Sequence, residues 1–364
     1  MDKKIGIGIV GLGNISGAYF TAAKHFPVLD IRAVADLDQS RAEAVAAEHG
    51  VRAVPLDAMF DDPDVDIVLN LTIPRAHVEV GLRAIGGGKH VYSEKPLGID
   101  FAEAKTLIEA ADAAGLRVGC APDTFLGGAH QAARALVDAG RIGTPVGGSA
   151  TMACPGHERW HPAPGFYYDI GGGPMLDMGP YYITDLVNLL GPVAAVSGFA
   201  TTPRATRTIG SEPLKGTSIE VKVPTHVTGM LEFASGAVVQ MLMTFDVEGT
   251  RHPRIELWGT DGVLSVPDPN RFDGAPELLP AHGAWAEQEV TQPFGDGNYR
   301  SLGLADMAHA ILEDRPHRAS GALALHVLEV MESILRASEE RRVIALTTSC
   351  ARPAPLAESA IAGA

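Results

Sequence analysis

Apolar and polar positions follow two rhythms along this chain, and the change between them predicts two domains. Over the first ~120 residues, short apolar runs alternate with stretches of helical spacing. The runs predict strands at Lys4–Val10, Ile31–Ala35, Asp66–Leu71, from Val91 onward, and at Leu116–Cys120. The stretches between predict helices at Ile15–His25, Ser40–His49, Ala76–Ile85 and Phe101–Ala114. Strands separated by helices of about 10–15 residues imply a parallel, doubly wound sheet. After Pro122 one helix, Ala129–Ala139, leads into longer alternating strands. Val227–Phe233 and Ala237–Phe245 flank Ser235-Gly236, and Ile255–Trp258 and Val263–Val266 flank Asp261-Gly262. These are hairpin signals and imply a largely antiparallel sheet. Helices close the chain at Ser301–Leu312 and Leu323–Ala337. The Thr-, Pro- and Gly-rich 201–224 stretch reads as a long connection, and 351–364 as a loosely ordered tail. The expected domains are therefore 1–122 and 123–350.

Composition narrows the classes of function. The 364 residues suffice for two domains, and 46 % hydrophobic residues suit ordinary cores. A net charge of -15 repels phosphate backbones, so no nucleic-acid partner is expected. Cys120, Cys154 and Cys350 are far apart and odd in number, which fits a reducing compartment and no disulfide framework. No apolar run approaches the ~20 residues of a membrane span, so no membrane partner is expected. Met1-Asp2-Lys3-Lys4 enters a strand without a signal-peptide pattern, and the expected location is cytoplasmic.

The first strand runs into Gly11-Leu12-Gly13-Asn14-Ile15-Ser16. A literal G-x-G-x-x-G also occurs at Gly6-Ile7-Gly8-Ile9-Val10-Gly11, but it would have no strand before it and would put Ile9-Val10 in a turn. In the later register Gly11 allows the tight turn. Gly13 lets a pyrophosphate approach a helix N-terminus, where free N–H groups and the dipole favour an anion. Ser16 is small enough for close helix–strand packing. Asp36 ends the second strand about 20 residues on, where a carboxylate accepts from a ribose 2′-hydroxyl and repels a 2′-phosphate. NAD is thus favoured over NADP, although Ser40 and Arg41 could receive a 2′-phosphate. Asp36 also fits a helix-initiating Asp, and Asp38 competes for either role. Asn70-Leu71-Thr72-Ile73-Pro74-Arg75-Ala76-His77 leaves another strand at the same edge. Thr72, Pro74, His77, Asn14, Ile15, Glu94 and Lys95 complete the cofactor candidates, and an ordinary strand–turn–helix corner would read the same way.

Lys95 follows the His90–Ser93 strand, and Pro96 pushes it into an extended conformation at the ligand edge of the sheet. A solvated lysine beside Glu94 fits the same residues. The second informative stretch is Gly171-Gly172-Gly173-Pro174-Met175-Leu176-Asp177-Met178-Gly179-Pro180-Tyr181-Tyr182, which leads into an apolar helix ending near Leu190-Gly191. Asp177 and Tyr181 are four apart, so on a helix they share one face. Pro180 leaves two options, a kink or a helix that starts only there. Moving a hydride from a carbinol carbon requires the hydroxyl proton to leave. A phenol titrates at about 10, too high for a base at neutral pH, and a nearby ammonium lowers that value. Lys95 beside Tyr181 would do this, with Asp177 orienting a sugar hydroxyl or the lysine. Core aromatics and an N-cap Asp would leave the same pattern.

His157-Glu158-Arg159-Trp160-His161 matches H-E-x-x-H, a zinc motif that works only on a helix. Pro155-Gly156 precede it and Pro162, Pro164 and Gly165 follow, so a long helix, and with it a metal, is not expected. A loop with two His, Trp160, Tyr167 and Tyr168 could wall a polyol pocket. His157 and Tyr168 are thus substrate candidates beside Lys95, Asp177 and Tyr181.

Together these residues resemble the Gfo/Idh/MocA oxidoreductases, named for glucose–fructose oxidoreductase and inositol dehydrogenase. The motifs come in order: Gly11-x-Gly13 with Asp36, Glu94-Lys95-Pro96, then Gly172-Gly173 with Asp177-x-Gly179-x-Tyr181. The similarity extends to Arg315-Pro316-His317-Arg318-Ala319-Ser320-Gly321 before the last helix. The resemblance implies an α/β Rossmann domain at 1–122 and a substrate domain at 123–350 with an open, mostly antiparallel sheet. One face of that sheet would pack on helices beside the active site, and the other often mediates dimers or tetramers. It implies Lys95, Asp177 and residue 181 as the catalytic group. Many members carry His at that last position; Tyr181 resembles the glucose–fructose oxidoreductase and dihydrodiol dehydrogenase branch. Arg75 stands where members often show Asn. The expected function is an NAD(H)-dependent sugar or polyol dehydrogenase with Tyr181 as acid/base assisted by Lys95. An NAD-dependent glycosidase using transient oxidation, or a nicotinamide-binding regulator without turnover, are the other readings.

Overall fold

The computed structural model describes residues 3–357 and 361. The chain divides into two compact units. One comprises Met1–Gly127, Asp296–Leu325 and Pro353–Ala364; the other comprises Gly128–Gly295 and His326–Arg352. Asp296–Leu325, placed with the second domain from sequence rhythm, thus belongs to the first unit. Residues 358–360 and 362–364 of the expected tail lie outside the described residues. Its earlier part is held in place: Pro353 and Leu356 are buried, and Arg318 donates to the carbonyls of Ala354 and Pro355 at 3.0 and 3.2 Å.

The first unit opens with β1 (Ile5–Val10), α1 (Ser16–Ala23), β2 (Leu29–Ala35), α2 (Gln39–His49), β3 (Arg52–Ala53) and α3 (Leu56–Asp61). It continues through β4 (Ile67–Asn70), α4 (His77–Gly86), β5 (His90–Ser93), α5 (Phe101–Ala113) and β6 (Val118–Cys120). The strands pair in parallel in the order β3-β2-β1-β4-β5-β6. This is the doubly wound order, and its direction reverses between β1 and β4. Strands covered on both faces must be apolar throughout, which is why β1 and β4 are buried at every position.

The second unit begins with α6 (Gly128–Asp138), β7 (Pro145–Ala153), α7 (Gly173–Leu190), β8 (Val193–Thr201) and a small hairpin of β9 (Thr206–Thr208) and β10 (Ser218–Glu220). Strands β11 (His226–Phe233), β12 (Val238–Thr244), β13 (Ile255–Gly259), β14 (Gly262–Val266), β15 (Glu277–Pro280) and β16 (Ala286–Glu287) follow. Helix α8 (Leu302–Glu313) lies in the first unit, α9 (Gly321–Glu340) begins there and continues in the second, and β17 (Ile344–Ala345) ends the list of elements. The nine strands run β16-β15-β14-β13-β7-β12-β11-β8-β17, antiparallel except where β12 meets β7. In β11 buried and exposed positions alternate, as expected for a sheet with one covered face. Helix α7 packs on β7, β11 and β12. No helix among the described residues is long and apolar enough to cross a membrane.

Candidate active site

The glycine turn lies at the carboxyl end of β1, where the strand order reverses and ligands bind in such sheets. Gly11 has φ +91°, and a Cβ there would stand 2.8 Å from the backbone of Leu71 and Thr72, so both conformation and crowding require glycine. At Gly13 a Cβ would meet no atom within 4 Å; the backbone there is open to a ligand. Helix α1 starts at Ser16 without a side-chain cap; the Ser16 and Ala18 N–H groups donate to the carbonyls of Gly13 and Ile15 at 3.1 and 3.0 Å, and the dipole at this N-terminus favours an anion. Gly6 and Gly8 sit inside β1, where a Cβ would overlap the Asp64 carbonyl oxygen and the Met59 sulfur. They are packing glycines, and Gly11–Gly13 is the turn.

Asp36 and Asp38 have different partners. Asp38 caps α2, accepting from the N–H groups of Ser40 and Arg41. Asp36 accepts the Leu12 N–H at 2.7 Å and the Asp38 N–H at 2.9 Å, with the Arg41 guanidinium at 3.6 Å. The carboxylate therefore belongs to the glycine turn. Open backbone at Gly13, the N-terminus of α1 and this carboxylate suit a dinucleotide: turn and helix dipole for pyrophosphate, carboxylate for ribose hydroxyls. Asn14 is exposed and Ile15 half-buried at the same turn.

The 70–77 corner is braced internally. The Thr72 hydroxyl donates to Asn70 Oδ1 at 2.6 Å, and Asn70 Nδ2 donates to the His77 carbonyl at 3.0 Å. Pro74 opens a short 3-10 turn, Pro74–Ala76. His77, a cofactor candidate from its sequence position, is turned inward. Its ring is fully buried, with Nδ1 2.7 Å from the Pro96 carbonyl and Nε2 2.9 Å from that of Thr72. Burial holds its pKa below the ordinary value. It links the 72 turn to the 96 turn and does not present its ring to a ligand. Glu94 is likewise engaged. One oxygen accepts from the Tyr19 hydroxyl at 2.8 Å, the other from the Lys95 N–H at 2.9 Å. Lys95 itself is half-buried, and the Lys95-Pro96 peptide is cis.

In the second unit, α7 begins at Gly173 and runs unbroken past Pro180, so Asp177 and Tyr181 occupy successive turns of one helix face. His157 reaches that face from the preceding loop, its Nε2 3.0 Å from Asp177 Oδ2. The 157–159 segment is a 3-10 turn, so the two histidines of H-E-x-x-H do not share an α-helical face. Glu158 is buried and turned away, paired with Arg207 at 2.9 Å and accepting from the Tyr168 hydroxyl. Arg207 also pairs with Asp246, which accepts from the Thr225 hydroxyl at 2.6 Å. Tyr168 is therefore not a pocket wall: it is fully buried, and its hydroxyl is taken by Glu158. Burial, then Glu158, pushes its phenol pKa well up. Trp160 and Phe166 remain exposed around His157 and His161.

Arg207 has no signal in the sequence, because it sits in the stretch that reads as a connection. Tyr19 is equally silent; nothing local says that a tyrosine of α1 meets Glu94, 75 positions away.

Two family models match the chain: an oxidoreductase family with an NAD-binding Rossmann fold over residues 5–121, and the GFO/IDH/MocA C-terminal domain over residues 130–265. Residues 5–121 are thus an NAD-binding Rossmann domain. The chain is 31 % identical over 141 residues to a 1,5-anhydro-D-fructose reductase of Ensifer adhaerens, covering 38 % of this chain and 42 % of that protein. It is 35 % identical over 145 residues to an inositol 2-dehydrogenase 3 of Saccharopolyspora erythraea, again covering 38 % and 42 %. The matched stretch spans about two fifths of the length of these relatives. Among solved structures, an aldose-aldose oxidoreductase from Caulobacter crescentus complexed with glycerol superposes with a TM-score of 0.80 at 25 % identity, covering 94 % of this chain and 100 % of that one. Both halves of the chain match the same family, and the protein belongs to the GFO/IDH/MocA oxidoreductases.

Proposed function

We propose that this protein is an NAD-dependent oxidoreductase that acts on a carbinol carbon of a sugar or polyol. The observation that carries this reading is the α7 face, where Asp177, held by His157, and Tyr181 lie one turn apart. NAD, when bound, supplies the hydride acceptor. The Gly11–Gly13 turn and the N-terminal dipole of α1 would hold its pyrophosphate, and Asp36 its ribose. Tyr181 takes the proton from the substrate hydroxyl in oxidation and returns it in reduction. The Lys95 ammonium favours the phenolate form that this requires. Asp177 accepts from a neighbouring substrate hydroxyl and fixes its orientation. The named relatives act on polyhydroxylated molecules, which supports a substrate of that class.

The open face of the large sheet exposes Phe199, Met230, Val238 and Trp258. A homodimer or homotetramer formed through this face would cover them. Cytoplasmic location is part of the same reading.

The test is a screen of aldoses, inositols, sugar acids and glycosides with NAD and NADP, following NADH absorbance and sugar release together. Net NADH formation with a free sugar or polyol is expected. Sugar release from a glycoside without net NADH would favour the glycosidase reading. Lys95→Ala and Tyr181→Phe should each lower turnover by about 10²- to 10⁴-fold. Near-full turnover in either variant overturns the mechanism.

A further inference from the structure

We propose that His157 is the positioning residue for Asp177, held in place by a buried charged clamp centred on Arg207. The proposal rests on the reading that Asp177 contacts the substrate. A carboxylate oxygen only accepts, so the 3.0 Å contact from His157 to Asp177 Oδ2 places the proton on Nε2. The other ring nitrogen, Nδ1, is buried and makes no hydrogen bond among the described residues. Rings hold the imidazole on several sides. Tyr167 lies at 4.4 Å between centroids, Phe245 at 4.5 Å and Trp160 at 5.4 Å.

The clamp lies directly behind this arrangement. Arg207 pairs with Glu158 and Asp246, and Glu158 accepts from Tyr168. Each of these three partners is the chain neighbour of a ring in the box: Glu158 of His157, Tyr168 of Tyr167, Asp246 of Phe245. One buried guanidinium therefore ties down the main chain behind the imidazole and behind two of the rings that enclose it. A functional side chain whose supports are themselves packed and hydrogen-bonded is preorganised. His157 acts on the substrate through Asp177, by fixing the direction of its carboxylate.

Two variants separate the hydrogen bond from the packing. His157→Phe keeps a ring in the box and removes the donor; His157→Gln restores an N–H near the same place. With the best substrate from the screen, His157→Phe should lower kcat about 10- to 100-fold with KM within about threefold, and His157→Gln should recover most of kcat. A raised KM with unchanged kcat would overturn the proposal, because it would make His157 a substrate contact. An equal loss in both variants would also overturn it, because the imidazole itself would then be moving the proton. A second measurement needs no substrate. Protein labelled with 15N-histidine should show His157 as the Nε2–H tautomer, assigned by the signal missing from His157→Gln. An Nδ1–H tautomer would sink the proposal. If the wild type turns over nothing in the screen, the functional reading fails, and the tautomer still decides the placement of His157.

Discussion

The Tyr19 hydroxyl donates to Glu94 Oε1 at 2.8 Å, and the other oxygen of the same carboxylate accepts the Lys95 N–H at 2.9 Å. A tyrosine of α1 thus steadies the turn that carries the lysine. Tyr19 is fully buried, and burial, with Glu94 next, raises its pKa well above the ordinary value, so it stays a donor. Tyr19→Phe should destabilise the fold by about 1–3 kcal/mol in urea unfolding, because the carboxylate loses a charge-assisted partner. Turnover should fall with it, since the Lys95 turn is loosened.

We predict that Asp36 governs cofactor choice. Asp36→Ser removes the carboxylate from the glycine turn and leaves the Arg41 guanidinium, now 3.6 Å from it, without that counter-charge. The KM for NAD should rise about tenfold and NADP should become the better cofactor relative to wild type. Paired initial-rate measurements with the two cofactors check this. A wild type active only with NADP would refute the argument.

Arg207 is a stability hub. Its side chain is 1 % exposed, against 6 % for Glu158 and 8 % for Asp246. Arg207→Ala leaves both carboxylates buried without their cation, and should cost about 3–5 kcal/mol in chemical unfolding. A loss below about 1 kcal/mol, the level of a surface ion pair, would show that the clamp is not a structural unit.

Asp123 imposes a pH dependence. Burial pushes its carboxyl up to about 6, against the N–H groups of Gly303 and Ser301, which donate to it at 3.0 and 3.2 Å. The folded state then keeps a proton that the unfolded chain releases at about 3.9. The stability this group contributes is present below about pH 4 and is lost as pH rises through about 6. Asp123→Asn removes the effect. Its stability relative to wild type should increase by up to about 3 kcal/mol between pH 4 and 6.5 in a series of urea melts. A flat difference across that range would refute the shift.

Much of the architecture is legible in single segments. The strand–helix rhythm of the first unit follows from periodicity, and the hairpins of the second from Ser235-Gly236 and Asp261-Gly262. Strand β7 was not legible, although it lies inside the large sheet. Its Gly147-Gly148-Ser149 core has no period-2 apolar pattern, because neighbouring backbone closes over it: a Cβ at Gly148 would overlap the Glu256 carbonyl oxygen. The hairpin of β9 and β10 was hidden for another reason. Three-residue strands in a Thr-, Pro- and Gly-rich stretch carry too few positions to show alternation.

Local order therefore determined the Rossmann rhythm and the register of the glycine turn, while the continuity of α7 through Pro180, which puts Asp177 and Tyr181 on one face, was left open. The rhythm and the register depend on backbone conformation and on residues a few positions apart. Which way side chains point was decided only by the fold. Asp36 joins the turn while Asp38 caps a helix, His77 and Tyr168 face inward, and His157 crosses to Asp177. The physical reason is range. Arg207 and Glu158 are 49 positions apart, and a buried charge goes wherever the folded chain brings it a partner.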